Sequence, residues 1–334
     1  MKTIALVSGG LDSLLAAKLV KDQGIEVFAL HFNIPFCSRK FTGAYGCADS
    51  VKKTADYLGV ELRVIDIADE FLPILEKPSF GYGANVNPCI DCKILMLRKC
   101  KEYLEELGAS FVVTGEVLGQ RPMSQHRKAL VTIEKESGLD GLVVRPLSAR
   151  LLEETIPEKE GWLDRQRLLD FNGRGRRPQM ALAKNFGFTD YSTPAGGCLL
   201  TDPEFAKRIK DLMSHKELDL NNVELLKTGR HFRVSSNAKL VVARDEKEGE
   251  RLLGLALRGD HFFLPPEDVA GATALGRGVF DDALIKLSAS IVGRYFDLFG
   301  KTDADIVHSI FLGQEKRNIS VSVMQEEELV KLRI

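Results

Sequence analysis

Apolar and polar positions along the first third of the chain alternate between short and long blocks. Ile4-Ala5-Leu6-Val7 is a short continuous apolar run, and Leu14-Leu15-Ala16-Ala17-Lys18-Leu19-Val20 has the spacing of a helix that buries one broad face. The same reading predicts strands at Thr3–Val7, Glu26–Phe32, Glu61–Ile67 and Ser110–Thr114, and helices at Asp12–Gln23, Cys47–Leu58 and Ile90–Leu107. Gly24, Gly59 and Gly108 each follow a helix, as stop residues do. Such alternation implies a parallel sheet covered on both faces, a doubly wound, Rossmann-like α/β fold. Ligands of these sheets sit beyond the carboxyl ends of the strands.

From about Leu142 to Met213 the pattern is mixed and reads as a small middle domain. From Gly229 it changes again. Phe232–Val234 and Leu240–Arg244 read as a hairpin, Glu248–Leu257 and Ala283–Phe299 as helices, and Asp260–Leu264 and Ile319–Val323 as strands. The expected organisation is therefore an α/β domain over 1–141, a basic middle domain over 142–225 and an α+β domain over 226–334. Two stretches, Pro35 to Cys47 and Pro73 to Pro88, look irregular, and insertions at the ligand end of a sheet often carry function.

The 334 residues are 44% hydrophobic and 28% charged with a net charge of −1, so the molecule as a whole does not attract nucleic acid by its field. A nucleic-acid site has to be a local patch. Arg165, Arg167, Arg174, Arg176, Arg177 and Lys184 form one basic group; Arg121, His126, Arg127 and Lys128 form another. Arginine's planar fork suits phosphate, which favours backbone contacts over a plain solvated face. No apolar run approaches the ~20 residues that span a bilayer. The N-terminus enters a strand without the basic and apolar regions of a signal peptide. A cytoplasmic location with no membrane partner is expected.

Ser8-Gly9-Gly10-Leu11-Asp12-Ser13 joins the first strand to the first helix. Such a turn presents backbone N–H groups and a positive helix end to an anion, usually a phosphate. Its glycines allow close approach, and Ser8 and Ser13 add hydroxyls. The Gly-Lys-Ser/Thr ending of a Walker loop and the Gly-x-Gly-x-x-Gly of dinucleotide folds are both missing. The plainer alternative is a helix start with Asp12 and Ser13 as N-terminal residues. A nucleotide at this turn would lie near Leu6, His31 and Gly115, which end neighbouring strands. His31 has a plain alternative too, packing or capping its strand.

Six cysteines in a chain of this length do not suggest a disulfide scaffold. Cys89-Ile90-Asp91-Cys92 opens a helix, where a thiol's pKa falls, and Cys198 follows Gly196-Gly197. Three converging thiols, Cys89, Cys92 and Cys198, suit a [4Fe-4S] cluster with one open iron, because complete clusters take four ligands. Metal-free persulfide chemistry, a structural zinc lacking its fourth ligand, and a redox pair with a bystander stay open. Cys100 reads as a core thiol, and Cys37 and Cys47 as inert.

The Ser8–Ser13 segment is similar to the SGGxDS pyrophosphate loop of the N-type ATP pyrophosphatases (the HUP/PP-loop superfamily). With Asn87–Lys93, Val112–Glu116 and the Pro194–Cys198 segment, the chain resembles the tRNA 2-thiouridylases and 4-thiouridine synthases over Met1 to about Met213. Asn87, Pro88 and Cys92 match the thiouridylase motif, while Cys89 replaces its Asp, which moves the chain toward three-cysteine, cluster-dependent thiolases. Residues from Gly229-Arg230-His231-Phe232-Arg233 onward resemble the NFACT RNA-binding domain. The resemblance implies ATP held by Ser8, Gly9, Gly10, Asp12 and Ser13, with Mg2+ assisted by Asp12. It further implies adenylation of a base carbonyl, and sulfur delivered at Cys92 and Cys198 with Cys89 next. tRNA is the implied substrate, a cysteine desulfurase relay or free sulfide the implied sulfur donor, and a homodimer is open. A small-metabolite ligase of the same superfamily and a non-catalytic RNA-binding protein are the competing classes; the intact loop argues against the second.

Overall fold

The strands β1 (Lys2–Leu6), β2 (Glu26–Asn33), β3 (Leu62–Asp66), β4 (Phe111–Thr114) and β5 (Val143–Val144) pair in parallel in the order β3-β2-β1-β4-β5. Around them run α1 (Leu11–Lys21), α2 (Ala48–Leu58), α3 (Ala68–Glu76), α4 (Cys89–Leu107), α5 (Arg127–Ser137), α6 (Ile156–Lys159) and α7 (Arg177–Asn185). Successive side chains of β1 point to opposite faces. Ile4 joins a core with Ile94 and Leu97 of α4 and Ile133 of α5; Ala5 joins another with Leu14 and Leu15 of α1 and Ala183 of α7. The sheet is thus buried on both faces, as the alternation implied. Each buried Leu or Ile contributes about 1.5–3 kcal/mol.

This computed structural model describes residues 1–37, 48–189, 191, 198–298, 300–313 and 315–334. Arg39, Lys40, Cys47 and the turn over 194–197 lie outside them. The chain divides into two compact units, Met1–Thr201 and Asp202–Ile334. The segment expected as a middle domain is shared between them. β5 extends the parallel sheet, and Leu147, Leu163, Leu168 and Phe188 fill the core beside α1. Residues from Asp202 onward belong to the second unit. A further difference is α3, which runs through Pro73 where the sequence predicts an irregular stretch. Buried Phe71 and Leu75 hold that helix against the loss of one amide donor.

In the second unit α8 (Pro203–Ser214) and α9 (Leu220–Leu226) precede β6 (Arg230–Ser235) and β7 (Ala238–Val242), the expected hairpin, with Phe232 opposite Leu240. α10 (Glu246–Leu255), β8 (His261–Leu264), β9 (Ala274–Gly278), α11 (Asp282–Gly293), β10 (Asp303–Ile310), β11 (Lys316–Ser322) and α12 (Glu326–Leu332) follow. The strands form one antiparallel sheet in the order β11-β10-β8-β9-β7-β6. Ile285, Ala289 and Val292 of α11 pack on Phe232 and Phe263 of one face; Leu225 and Leu252 pack with Val241 and Leu275 on the other. The helix expected over Ala283–Phe299 stops at Gly293. Among the described residues no helix is long and apolar enough to cross a membrane.

Candidate nucleotide and thiol site

The turn after β1 curls back on the start of α1. Gly9 has φ +66°, a left-handed backbone that favours glycine. Ser13 Oγ donates to the Gly10 carbonyl at 2.9 Å and accepts the Ser8 N–H at 3.2 Å. Gly10 is the N-cap and has no side chain to cap the helix, which leaves the first amides of α1 to an external acceptor. That is the condition for phosphate binding. At the neighbouring strand ends, His31 Nδ1 lies 2.8 Å from the Val7 carbonyl, tying β2 to β1, and Leu6 is half-buried in the α4-side core. Gly115 marks a close approach. A Cβ there would lie 2.5 Å from Ser13 N and 2.6 Å from the Asp12 carbonyl carbon.

Asp12 Oδ2 accepts from Gln120 Nε2 at 3.0 Å, and Oδ1 lies 3.7 Å from Arg176 Nη2. Among the described residues that buried Oδ1 has no hydrogen-bond donor. A hard carboxylate oxygen left without a donor beside an anion-ready helix start suits Mg2+.

From Gly115 the chain enters a buried ion network. Glu116 Oε2 accepts from Thr114 Oγ1 and from Arg145 Nε, each at 3.1 Å, and Oε1 lies 3.5 Å from Lys93 Nζ. Arg145 also bonds Glu134. Burial pushes the Glu116 carboxyl up, but Lys93 and Arg145 outweigh it and hold it below the usual carboxylate range. Its stabilising charge is therefore complete above the unfolded value of about 4.3 and lost as pH falls through the lower folded value. Glu116→Gln is expected to cost roughly 3–5 kcal/mol at pH 7, because Arg145 stays buried without that charge. In urea unfolding the gap to wild type should narrow below about pH 4; a constant gap across that range would contradict the charge argument.

α4 opens at Cys89. Asp91, between the two thiols, accepts the Ser79 and Phe80 N–H groups at 2.8 and 3.1 Å, fastening the preceding loop to the helix. That loop in turn grips the segment after Cys198: Val86 N–H donates to the Leu200 carbonyl at 3.3 Å and Asn85 Nδ2 to the Thr201 carbonyl at 2.8 Å. Cys89 Sγ donates to Ser124 Oγ at 3.1 Å. Cys37 and Cys198 face each other in an isolated antiparallel bridge.

The thiols sense one another. Burial pushes the Cys92 thiol far up, Cys89 and Cys198 add to the rise, and Lys93 and Arg121 oppose it. Burial pushes Cys198 up to about 12, with Cys89 and Cys37 adding. The thiol-lowering helix end expected for Cys92 is overridden by desolvation and by neighbouring sulfurs. Cys100 is a fully buried core thiol, as its helical position suggests. Cys37, read from sequence as inert, stands beside Cys198. Among the described residues no group of three or more His, Cys, Asp or Glu is arranged to hold a metal ion. The soft donors of Cys89, Cys92 and Cys198 nevertheless fit an iron cluster in kind. Thiolates that repel one another are what a cationic group relieves.

The basic groups separate into two kinds. Arg165 donates to Glu158 Oε1 at 2.6 Å and to the Leu152 carbonyl at 2.8 Å, and Arg167 donates to the Asp22 carbonyl at 2.8 Å. Both also make contacts within the fold, and Arg167 stays exposed. Arg176 faces Asp12, and His126 caps α5 by accepting the Ala129 N–H. Arg121, Arg127, Lys128, Arg174, Arg177 and Lys184 are exposed. Sequence reasoning missed Gln120, Ser124, Arg145 and Cys37. Lys93 and Glu116 stood inside quoted motifs, but their pairing needs the fold.

Residues 1–156 match the family model described as thiamine biosynthesis protein (ThiI), and residues 229–333 match that of the NFACT protein RNA binding domain. The tRNA-specific 2-thiouridylase MnmA of Sulfurimonas denitrificans is 30% identical over 122 residues, 35% of this chain and 35% of its own length. That of Frankia casuarinae is 34% identical over 127 residues, 34% of this chain and 36% of its own. A 4-thiouridine synthetase, solved as an RNA complex with bound ATP, is 27% identical, covering 44% of this chain and 37% of that one at a TM-score of 0.36. The chain spans about a third of the length of these curated relatives. Residues 1–156 are thus similar to the ThiI family, as shorter stretches are to the 2-thiouridylases, and residues 229–333 are similar to the NFACT RNA binding domain.

Proposed function

We propose that this protein is an ATP-dependent sulfurtransferase acting on tRNA, in the cytoplasm. The reading rests above all on one run of contacts. Ser13 of the phosphate turn abuts Gly115, the next residue Glu116 pairs with Lys93, and Lys93 adjoins Cys92. Nucleotide and sulfur chemistry would then share one edge of the sheet.

In this mechanism the first amides of α1, with Ser8 and Ser13, bind the ATP phosphates, and Asp12 holds Mg2+ against the leaving pyrophosphate. A base carbonyl oxygen attacks the α-phosphorus, pyrophosphate leaves, and the oxygen becomes part of an AMP ester. Sulfur then bonds to the same carbon, AMP departs with that oxygen, and a thiocarbonyl remains. Cys92 and Cys198 handle the sulfur, with Cys89 beside them and a desulfurase relay or sulfide as donor. A [4Fe-4S] cluster held by Cys89, Cys92 and Cys198 would supply an iron able to take sulfide; otherwise a desulfurase persulfide passes its outer sulfur to one of these thiols, releasing the desulfurase thiolate, and once that sulfur has bonded to the base carbon the second thiol attacks the inner sulfur, leaving a protein disulfide that a dithiol reduces. Arg174, Arg177 and Lys184 offer phosphate contacts, and residues 229–333 supply the RNA-binding domain. A base inside a helix would have to leave its stack.

Incubating the protein anaerobically with ATP, Mg2+, unmodified tRNA and sulfide, then analysing digested nucleosides by mass spectrometry, tests the reading. The expected result is AMP and a thionucleoside in equal amounts, both requiring RNA. AMP released equally fast without RNA would instead support a small-metabolite ligase.

A further inference from the structure

Cys37 takes no part in that scheme, yet it is the residue directly opposite Cys198. Leu199 N–H donates to the Phe36 carbonyl at 2.8 Å. With 36 and 199 hydrogen-bonded, the adjacent 37–198 pair is of the non-hydrogen-bonded kind. In such pairs the Cα atoms lie about 4.5 Å apart with both side chains on one face. Disulfides bridge Cα separations of about 4.4–6.8 Å, so the backbone already meets the requirement.

The facing is held from both sides. Thr201 donates its N–H and its Oγ1 to the Cys198 carbonyl at 2.9 and 2.7 Å. Phe36 is fully buried against Phe71, with ring centroids 5.5 Å apart. Cys89, by contrast, is turned to Ser124. Cys37 and Cys198 are both intermediate in exposure.

We propose that Cys37 and Cys198 form a reversible disulfide, a redox site that takes low-molecular-weight disulfides and withdraws Cys198 from sulfur handling. One thiolate of the pair attacks a sulfur of RSSR, breaking its S–S bond, expelling RS⁻ and leaving a mixed disulfide. The second thiolate displaces the other RS⁻ and closes the Cys37–Cys198 bond. Two protein thiols are oxidised, one RSSR is reduced to two RSH, and the two thiol protons pass to the released thiolates. A dithiol reverses the sequence. The effect on sulfur handling rests on the function proposed above; the disulfide does not.

The test uses the full-length protein equilibrated in glutathione buffers of graded poise, acid-quenched and alkylated, with peptides mapped by mass spectrometry. The expected product is a Cys37–Cys198 linked peptide, lighter than its two reduced parts by two hydrogen atoms, while Cys89, Cys92 and Cys100 remain alkylated. Cys37→Ser should leave Cys198 alkylated or glutathione-linked, without an internal bridge. A bridge from Cys198 to any other cysteine overturns the proposal, as does full alkylation of Cys37 and Cys198 in glutathione disulfide alone. The wild-type map needs no variant to fold. It is also independent of the nucleoside assay, so failure of the disulfide and failure of the thiolation reading are told apart.

Discussion

Cys198→Ala is expected to lower thionucleoside formation by at least about 10³-fold, the scale on which loss of an essential nucleophile is felt. ATP affinity should stay within about twofold, below the roughly fivefold change that one hydrogen bond of about 1 kcal/mol would make. Cys198 has Cys37 opposite and Cys89 and Cys92 as electrostatic neighbours, whereas the phosphate turn is built from β1, α1 and the end of β4. Alanine keeps the backbone bonds that Leu199 and Thr201 make around position 198. Single-turnover thiolation and equilibrium nucleotide binding read the two parts separately. Unchanged thiolation would remove Cys198 from the mechanism. Iron content and donor together decide the delivery route: about four irons per chain with activity on sulfide assigns the cluster, and iron-free protein active with a desulfurase persulfide but not with sulfide assigns the persulfide.

Gly115→Ala should act on the other half of the site. The added methyl would fall 2.5 Å from a backbone nitrogen of α1, with no flexible side chain to give way. Either the end of β4 or the first turn of α1 has to shift, and the amides aimed at phosphate shift with it. Misplacement by about 1 Å at a positioned group costs on the order of 100-fold, so ATP affinity or adenylation should fall by about that factor. Stability should fall by roughly 1–3 kcal/mol, the usual range for overpacking. Calorimetric titration with ATP and urea unfolding measure the two effects. Wild-type affinity in a folded variant would mean that phosphate binds elsewhere.

The parts of the site that sequence made legible are contiguous ones. Ser8–Ser13 carries its own glycines, hydroxyls and carboxylate between a strand and a helix, and Cys89 and Cys92 stand one helical turn apart. Alternating apolar blocks were enough for β1 to β4, because each burial pattern is local. What stayed hidden depends on distant partners. The Cys37–Cys198 bridge brings together two segments without secondary-structure signals. Gln120 meets Asp12 only once β4 lies beside β1, and Arg145 meets Glu116 only once β5 lies beside β4. Arginine density could not tell that Arg165 and Arg167 also hold carbonyls of the fold, at Leu152 and Asp22. Thiol acidity failed for a physical reason: a helix end is a small effect beside desolvation.

Arg167 also fixes the far end of α1, through the carbonyl of Asp22, while Gly115 presses on its near end. A cylinder tied at one end and closely approached at the other has less room to slide along its axis. In the proposed reaction its aligned peptide dipoles would meet the triphosphate already oriented, and little reorganisation work would be left for the moment when charge moves onto the departing diphosphate.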